Sequence, residues 1–151
     1  MKFLCTIVVA ALVATGALSV GFATQGQAQD AAGSVKARVD AMKGSGGAAA
    51  RINKAEDVKA TVEDAKTIQA NLAKLGTLWP AGSMTPESRA KPEIWQNMAD
   101  FNAKLAATQK EAATLVANAE KGDLAATKAQ VPQVIAACNA CHTAYRGPAK
   151  Q

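Results

Sequence analysis

The chain has 151 residues, enough for one domain, and a formal net charge of +5. Hydrophobic residues make up 49% and aromatics only 4%, an alanine-rich balance that favours helix. The basic residues are scattered without a dense patch, which argues against a nucleic-acid partner.

Residues 1–28 read as an export signal. Lys2 supplies the positive start, Phe3 to Val20 is mostly apolar, and Gly26 and Ala28 are the small residues expected before a cut at Gln29. A cut after Ala23 is a second option. An uncleaved anchor is the rival reading, because the apolar run is near spanning length. The small-residue exit favours removal, so no stable membrane anchor is expected, and Cys5 leaves with the leader. The mature chain, residues 29–151, keeps 16 basic and 12 acidic residues, a net charge of +4.

A first helix is predicted over residues 30–52, with Ser34 as its N-cap. Val35, Val39, Met42, Gly46 and Ala49 form its core-facing stripe. Gly44, Gly46 and Gly47 have two readings of equal standing. They end or kink the helix, or they let a flat cofactor approach the backbone. Asn53-Lys54-Ala55-Glu56 resembles a capping box that opens a second helix. That helix carries Val58, Val62, Ala65, Ile68, Leu72 and Leu75 on one face, with Gly76 as its C′ residue. Residues 77–91 form a loop, with one short turn after Thr85.

Pro92 starts a third helix. Its stripe is the cleanest in the chain: Ile94, Met98, Phe101, Leu105, Thr108, Ala112, Leu115 and Ala119. Gly122 ends it and Asp123 caps a fourth helix. That helix bears Leu124, Val131, Ile135, Cys138, His142 and Tyr145 along one side. Pro132 is expected to kink or unwind it, and Gly147-Pro148 to stop it. Four amphipathic helices with mostly short links predict an all-α antiparallel four-helix bundle.

Cys138-Asn139-Ala140-Cys141-His142 reads C-x-x-C-H, the attachment pattern for a c-type haem. Two thiols can add across two vinyl groups, and a neutral imidazole can bind iron axially. Helical spacing places both tethers and the ligand on one face. A thiol–disulfide site would want a neighbouring βαβ pattern, and no convincing strand is found. Structural zinc wants four ligands, and the mature chain offers three. A bland disulfide or a pair of buried thiols is the remaining rival. His142 is the only histidine, so bis-histidine ligation within one chain is excluded. Haem, one per chain and covalent, is expected to stabilise the fold strongly.

A leader, four helices and C-x-x-C-H near the end of the last one resemble the class II cytochromes c, which include cytochrome c′ and cytochrome c-556. Residues Cys138 to Arg146 are similar to that family's C-terminal signature. Lys91-Pro92-Glu93-Ile94-Trp95 with Phe101 resembles its third helix, residues Leu78 to Ser83 its preceding loop, and Arg38-x-x-x-Met42 its first-helix motif. The resemblance implies thioethers at Cys138 and Cys141 and an axial ligand at His142. It implies Arg146 beside that imidazole and Arg38 on a haem propionate, where the plain alternative is a solvated arginine. It brings Met42 to the distal face, as a sixth ligand or as packing. Trp79 and Trp95 pack near the haem edge or simply belong to the core and loop. The segment from Met42 to Val58 looks shorter and richer in glycine and alanine than is usual, which leaves a homodimer open.

Two functions follow. If Met42 binds iron, the protein is a low-spin electron-transfer carrier that docks transiently with redox partner proteins, and this is the primary expectation. If Met42 only packs, the protein is a high-spin, five-coordinate cytochrome that binds NO or CO. Neither is an enzyme, since no paired carboxylates or nucleophile with a base stand out. Export and haem attachment together predict a periplasmic location.

Overall fold

The computed structural model describes residues 23–149, with side chains from residue 31 onward. Most of the expected leader lies outside the described residues. Residues 23–28 of it form the first turns of a helix. The helices are α1 (Ala23–Lys54), α2 (Lys59–Leu75), α3 (Glu93–Gln96), α4 (Met98–Glu120) and α5 (Leu124–Tyr145). The four long ones make the bundle. Among the described residues there is no strand, only an isolated bridge between Ala90 and Arg146.

The stripe predicted for the third helix fills the centre. Ile94, Phe101, Leu105, Thr108, Ala112, Leu115 and Ala119 are all buried. They meet Ile52 of α1, Ile68 and Leu72 of α2, and Val131 and Val134 of α5 in one cluster. Burying an aliphatic side chain of this size stabilises the fold by about 1.5–3 kcal/mol. Thr61, Thr108 and Thr127 are buried too, and each satisfies its hydroxyl on a carbonyl of the preceding turn, at 2.7, 2.9 and 2.6 Å respectively.

Several expected boundaries move. α1 does not start at Ser34 but at Ala23; it runs through the glycines and ends at Lys54, close to the expected end at Ile52. Its buried face of Ala41, Ala48, Ala49 and Ile52 lies on α2, and this burial offsets the roughly 1 kcal/mol that a mid-helix glycine costs. Gly44 permits the approach, since a Cβ there would lie 3.1 Å from Asn71 Nδ2 of α2. The capping box does not form, because Asn53 belongs to the last turn of α1. α2 opens instead after Val58, where Asp57 Oδ1 accepts from the Lys59 amide at 3.0 Å. Gly76 follows α2 in a right-handed conformation, with φ −59°, and not as a left-handed cap.

The third helix is broken in two at Asn97, with φ −126° and ψ 47°. Trp95 ties α3 to the preceding loop, its Nε1 donating to the Trp79 and Pro80 carbonyls at 3.2 and 3.1 Å. Phe101 and Leu105 align α4 with the core, and the two demands meet at Asn97. The next junction forms as expected. Gly122 takes φ +79°, and Asp123 Oδ1 accepts from the Ala126 amide at 2.8 Å. α5 continues through Pro132 without unwinding, and the proline ring is exposed.

α1 packs on α2, α2 on α4, and α4 on α5. Of the four seams around the bundle, the one between α1 and α5 is the thinnest. Val39 and Ile135, expected in the core, are exposed on either side of it.

Candidate haem site

The α1–α5 seam holds the residues singled out by the sequence. Cys138, Cys141 and His142 project from the last turns of α5, and Arg38, Met42 and Gly46 from the middle of α1. Two cavities occupy the seam, of about 420 and about 230 Å³. Both are lined by Met42, Trp79, Phe101, Cys141 and His142. Cys138 lines only the smaller one, and Arg38 and Arg146 only the larger.

The cavities differ in character. The smaller is walled by Ala49, Ile68, Leu72, Leu105, Val134 and Ile135, an apolar slot. The larger adds a charged rim of Arg38, Lys43, Glu87, Arg89 and Arg146. An apolar slot with a mainly cationic rim suits a flat apolar group that carries carboxylates at one edge. Trp79 Nε1, buried in the shared wall, has no hydrogen-bond partner within the protein.

The two cysteines are not joined to each other by a disulfide, and both are half-buried. Burial pushes the Cys138 thiol above its ordinary range. It does the same at Cys141, where Lys104 opposes the shift while Cys138 and Asp100 add to it. Burial first, then the Arg146 and Arg89 charges, lower the His142 pKa and keep its ring neutral, the form that binds a metal.

Arg38 is buried, not a solvated arginine. Its Nη1 donates to Ser83 Oγ at 3.2 Å and its Nη2 to the Ser83 carbonyl at 2.5 Å. The guanidinium carbon lies 4.2 Å from the centre of the Trp79 ring. Trp79 meets Phe101 edge-on at 4.8 Å, and Phe101 meets Tyr145 at 5.4 Å, so an aromatic column backs the cavities. The Tyr145 hydroxyl donates to Asp100, which also accepts from Lys104. Trp95 lines neither cavity and acts through the loop.

Three charged residues at the rim escaped the sequence reading, the first being Lys43, next to Met42 on α1. Arg89 reaches the site from the loop before α3, and Glu87 comes with it. None of the three belongs to a helix stripe, so hydrophobic spacing gives no signal for them.

The cytochrome c′ family model matches residues 26–146. The chain belongs to the cytochrome c′ family, the class II cytochromes c. Its cofactor is therefore covalently bound haem c, and the protein is a c-type cytochrome. Cytochrome c′ of Alcaligenes xylosoxydans xylosoxydans is 43% identical over 88 residues, covering 55% of this chain and 69% of that protein. Cytochrome c-556 of Agrobacterium fabrum is 38% identical over 122 residues, covering 77% and 82%. Among solved structures, the nitric oxide complex of a mutant cytochrome c prime from Alcaligenes xylosoxidans aligns with a TM-score of 0.71. It is 28% identical and covers 79% of this chain and 97% of that one.

Proposed function

We propose that this protein is a gas-binding cytochrome c′, with haem tethered at Cys138 and Cys141 and His142 as the axial ligand. Haem iron held by these residues would supply an open coordination position for a small diatomic ligand such as NO or CO. The carrying observation is Met42, whose side chain is half-buried and packed against the core cluster, in the role methionine commonly fills. With Ala49, Ile68 and Leu72 it makes a wall without charge, which admits a small apolar ligand and disfavours ions and bulky molecules. The likeness to cytochrome c′ of Alcaligenes xylosoxidans, a mutant of which was solved with nitric oxide bound, supports this reading.

The remaining side chains serve binding, not turnover. Arg38, held by Ser83 and stacked on Trp79, offers a propionate a cation that is already in place. Arg146 puts a positive charge on the His142 side of the cavity. Gly46 leaves the α1 backbone open to a flat group, since a Cβ there would meet no atom within 4 Å. The mature chain begins at Gln29 and works in the periplasm, where haem of this kind is attached in bacteria. Among the described residues, no helix is long and apolar enough to cross a membrane.

The second reading is a low-spin electron carrier with Met42 on the iron. It is favoured by one observation, that Met42 lines both cavities together with His142. Optical spectra of oxidised and reduced holoprotein, with and without CO, separate the two. Broad high-spin bands that shift with CO are expected, and Met42→Ala should leave them high-spin. Sharp low-spin bands indifferent to CO, converted to high-spin by Met42→Ala, would establish the carrier instead. Absence of covalent haem after periplasmic maturation would overturn both.

A further inference from the structure

The end of α5 is held by the loop that precedes α3. The last four carbonyls of a helix lack partners within it. Here the Lys91 amide donates to the Tyr145 carbonyl at 2.9 Å, and Lys91 Nζ donates to the Ala144 carbonyl at 3.1 Å. A lysine at this end also suits the helix dipole. One residue beyond, Ala90 and Arg146 form an antiparallel bridge, and the Gly147 amide donates to the Arg89 carbonyl at 2.7 Å.

The Arg89 side chain closes the same junction. Its Nη2 and Nε donate to the Gly147 carbonyl at 2.8 and 3.1 Å, and Nε also reaches the Pro148 carbonyl at 3.0 Å. Arg89 is exposed, so the bare attraction of its charge is weak. What an arginine adds is a rigid planar fork that holds two carbonyls at once, which lysine cannot reproduce. The segment fixed in this way includes Arg146, and Arg89 and Arg146 line the larger cavity with His142.

We propose that Arg89 is a positioning residue, whose fork on the Gly147 and Pro148 carbonyls holds the end of α5 so that His142 and Arg146 keep one orientation at the cavity. The proposal rests on His142 being the axial ligand. Lys91 secures the same helix end from within the bundle. Arg89 thus acts on the iron site through the backbone at the end of α5.

The test uses holoprotein carrying Arg89→Ala, Arg89→Lys or, as a control, Arg51→Ala. Arg51 pairs with Asp64 where α1 meets α2, away from both cavities. Ferric electron paramagnetic resonance reads the axial ligand, and hydrogen exchange reads the Gly147 amide. Both Arg89 variants should shift or broaden the g-values and speed Gly147 exchange by about tenfold, while Arg51→Ala changes neither. A wild-type spectrum in Arg89→Lys would show that charge alone suffices and overturn the fork. Unchanged spectra in both Arg89 variants, or an equal shift in Arg51→Ala, would overturn it as well. Pulsed measurements on wild type test the underlying assignment separately, since missing imidazole nitrogen coupling would remove His142 as ligand whatever the variants do.

Discussion

Gly46 and Gly47 are neighbours in the middle of α1, yet they face different surroundings. Gly46 lines the smaller cavity and Gly47 does not. A Cβ at Gly47 would make an ordinary contact with Arg51 Nη1 at 3.5 Å, and one at Gly46 would point into open space. Glycine-to-alanine replacement in a helix interior is worth about 0.8–1 kcal/mol of propensity at either position. In holoprotein, Gly47→Ala should therefore raise the melting temperature by about 4 °C, given the usual entropy of unfolding for a chain of this size. Gly46→Ala should gain less than half of that, or lose stability, because its methyl enters the slot assigned to haem. The two sites share helix, propensity and depth along the bundle, so their difference isolates the cavity. Calorimetry or melting followed by circular dichroism measures it. Equal gains at both positions would refute the placement of the haem against α1.

Arg38→Met should cost holoprotein about 2–3 kcal/mol in denaturant unfolding, because it removes two bonds from a charged donor and leaves buried Ser83 without them. A loss below about 0.5 kcal/mol, the range of ordinary surface changes, would contradict the structural role given to Arg38. A second expectation concerns alkaline pH. The hydrogen bond to Asp100, then burial, push the Tyr145 pKa from 10.0 up to about 12. The folded state thus favours the protonated phenol. Its contribution to stability is complete below about pH 10 and is lost as pH rises towards about 12. Tyr145→Phe should flatten the stability profile across that window, and a profile that stays equally steep would exclude the Tyr145–Asp100 bond as its source.

The bundle was legible because its signals agree. The α4 stripe, the Gly122-Asp123 junction and C-x-x-C-H each point to the same architecture, and the structure brings Cys138, Cys141, His142, Met42 and Arg38 to one seam. The errors arose where local propensity and tertiary packing disagree. Three glycines allowed either a break or the close approach of a cofactor; the buried alanine face of α1 carries the helix past them, and Gly46 lines the smaller cavity. Asn53 read as a cap, yet the helix before it was longer than its stripe. Val39, Gly46 and Ile135 fit a core period and instead line the cavities, since spacing shows which side a residue faces and not what covers it. Arg89, Ser83 and the Tyr145–Asp100 bond join residues from 45 to 59 positions apart, separations at which no local pattern operates.

The chain has only two tryptophans, Trp79 in the aromatic column and Trp95 beside it. Trp79 and Trp95 meet edge-on, their ring centres 6.3 Å apart, and Trp79 forms part of the wall of both cavities. All indole emission therefore comes from one spot. With haem in the seam as proposed, energy transfer to it should extinguish that light in folded holoprotein, and the light should return when α1 and α5 part. The protein would thus carry its own optical gauge of how tightly the seam is closed, without any added dye.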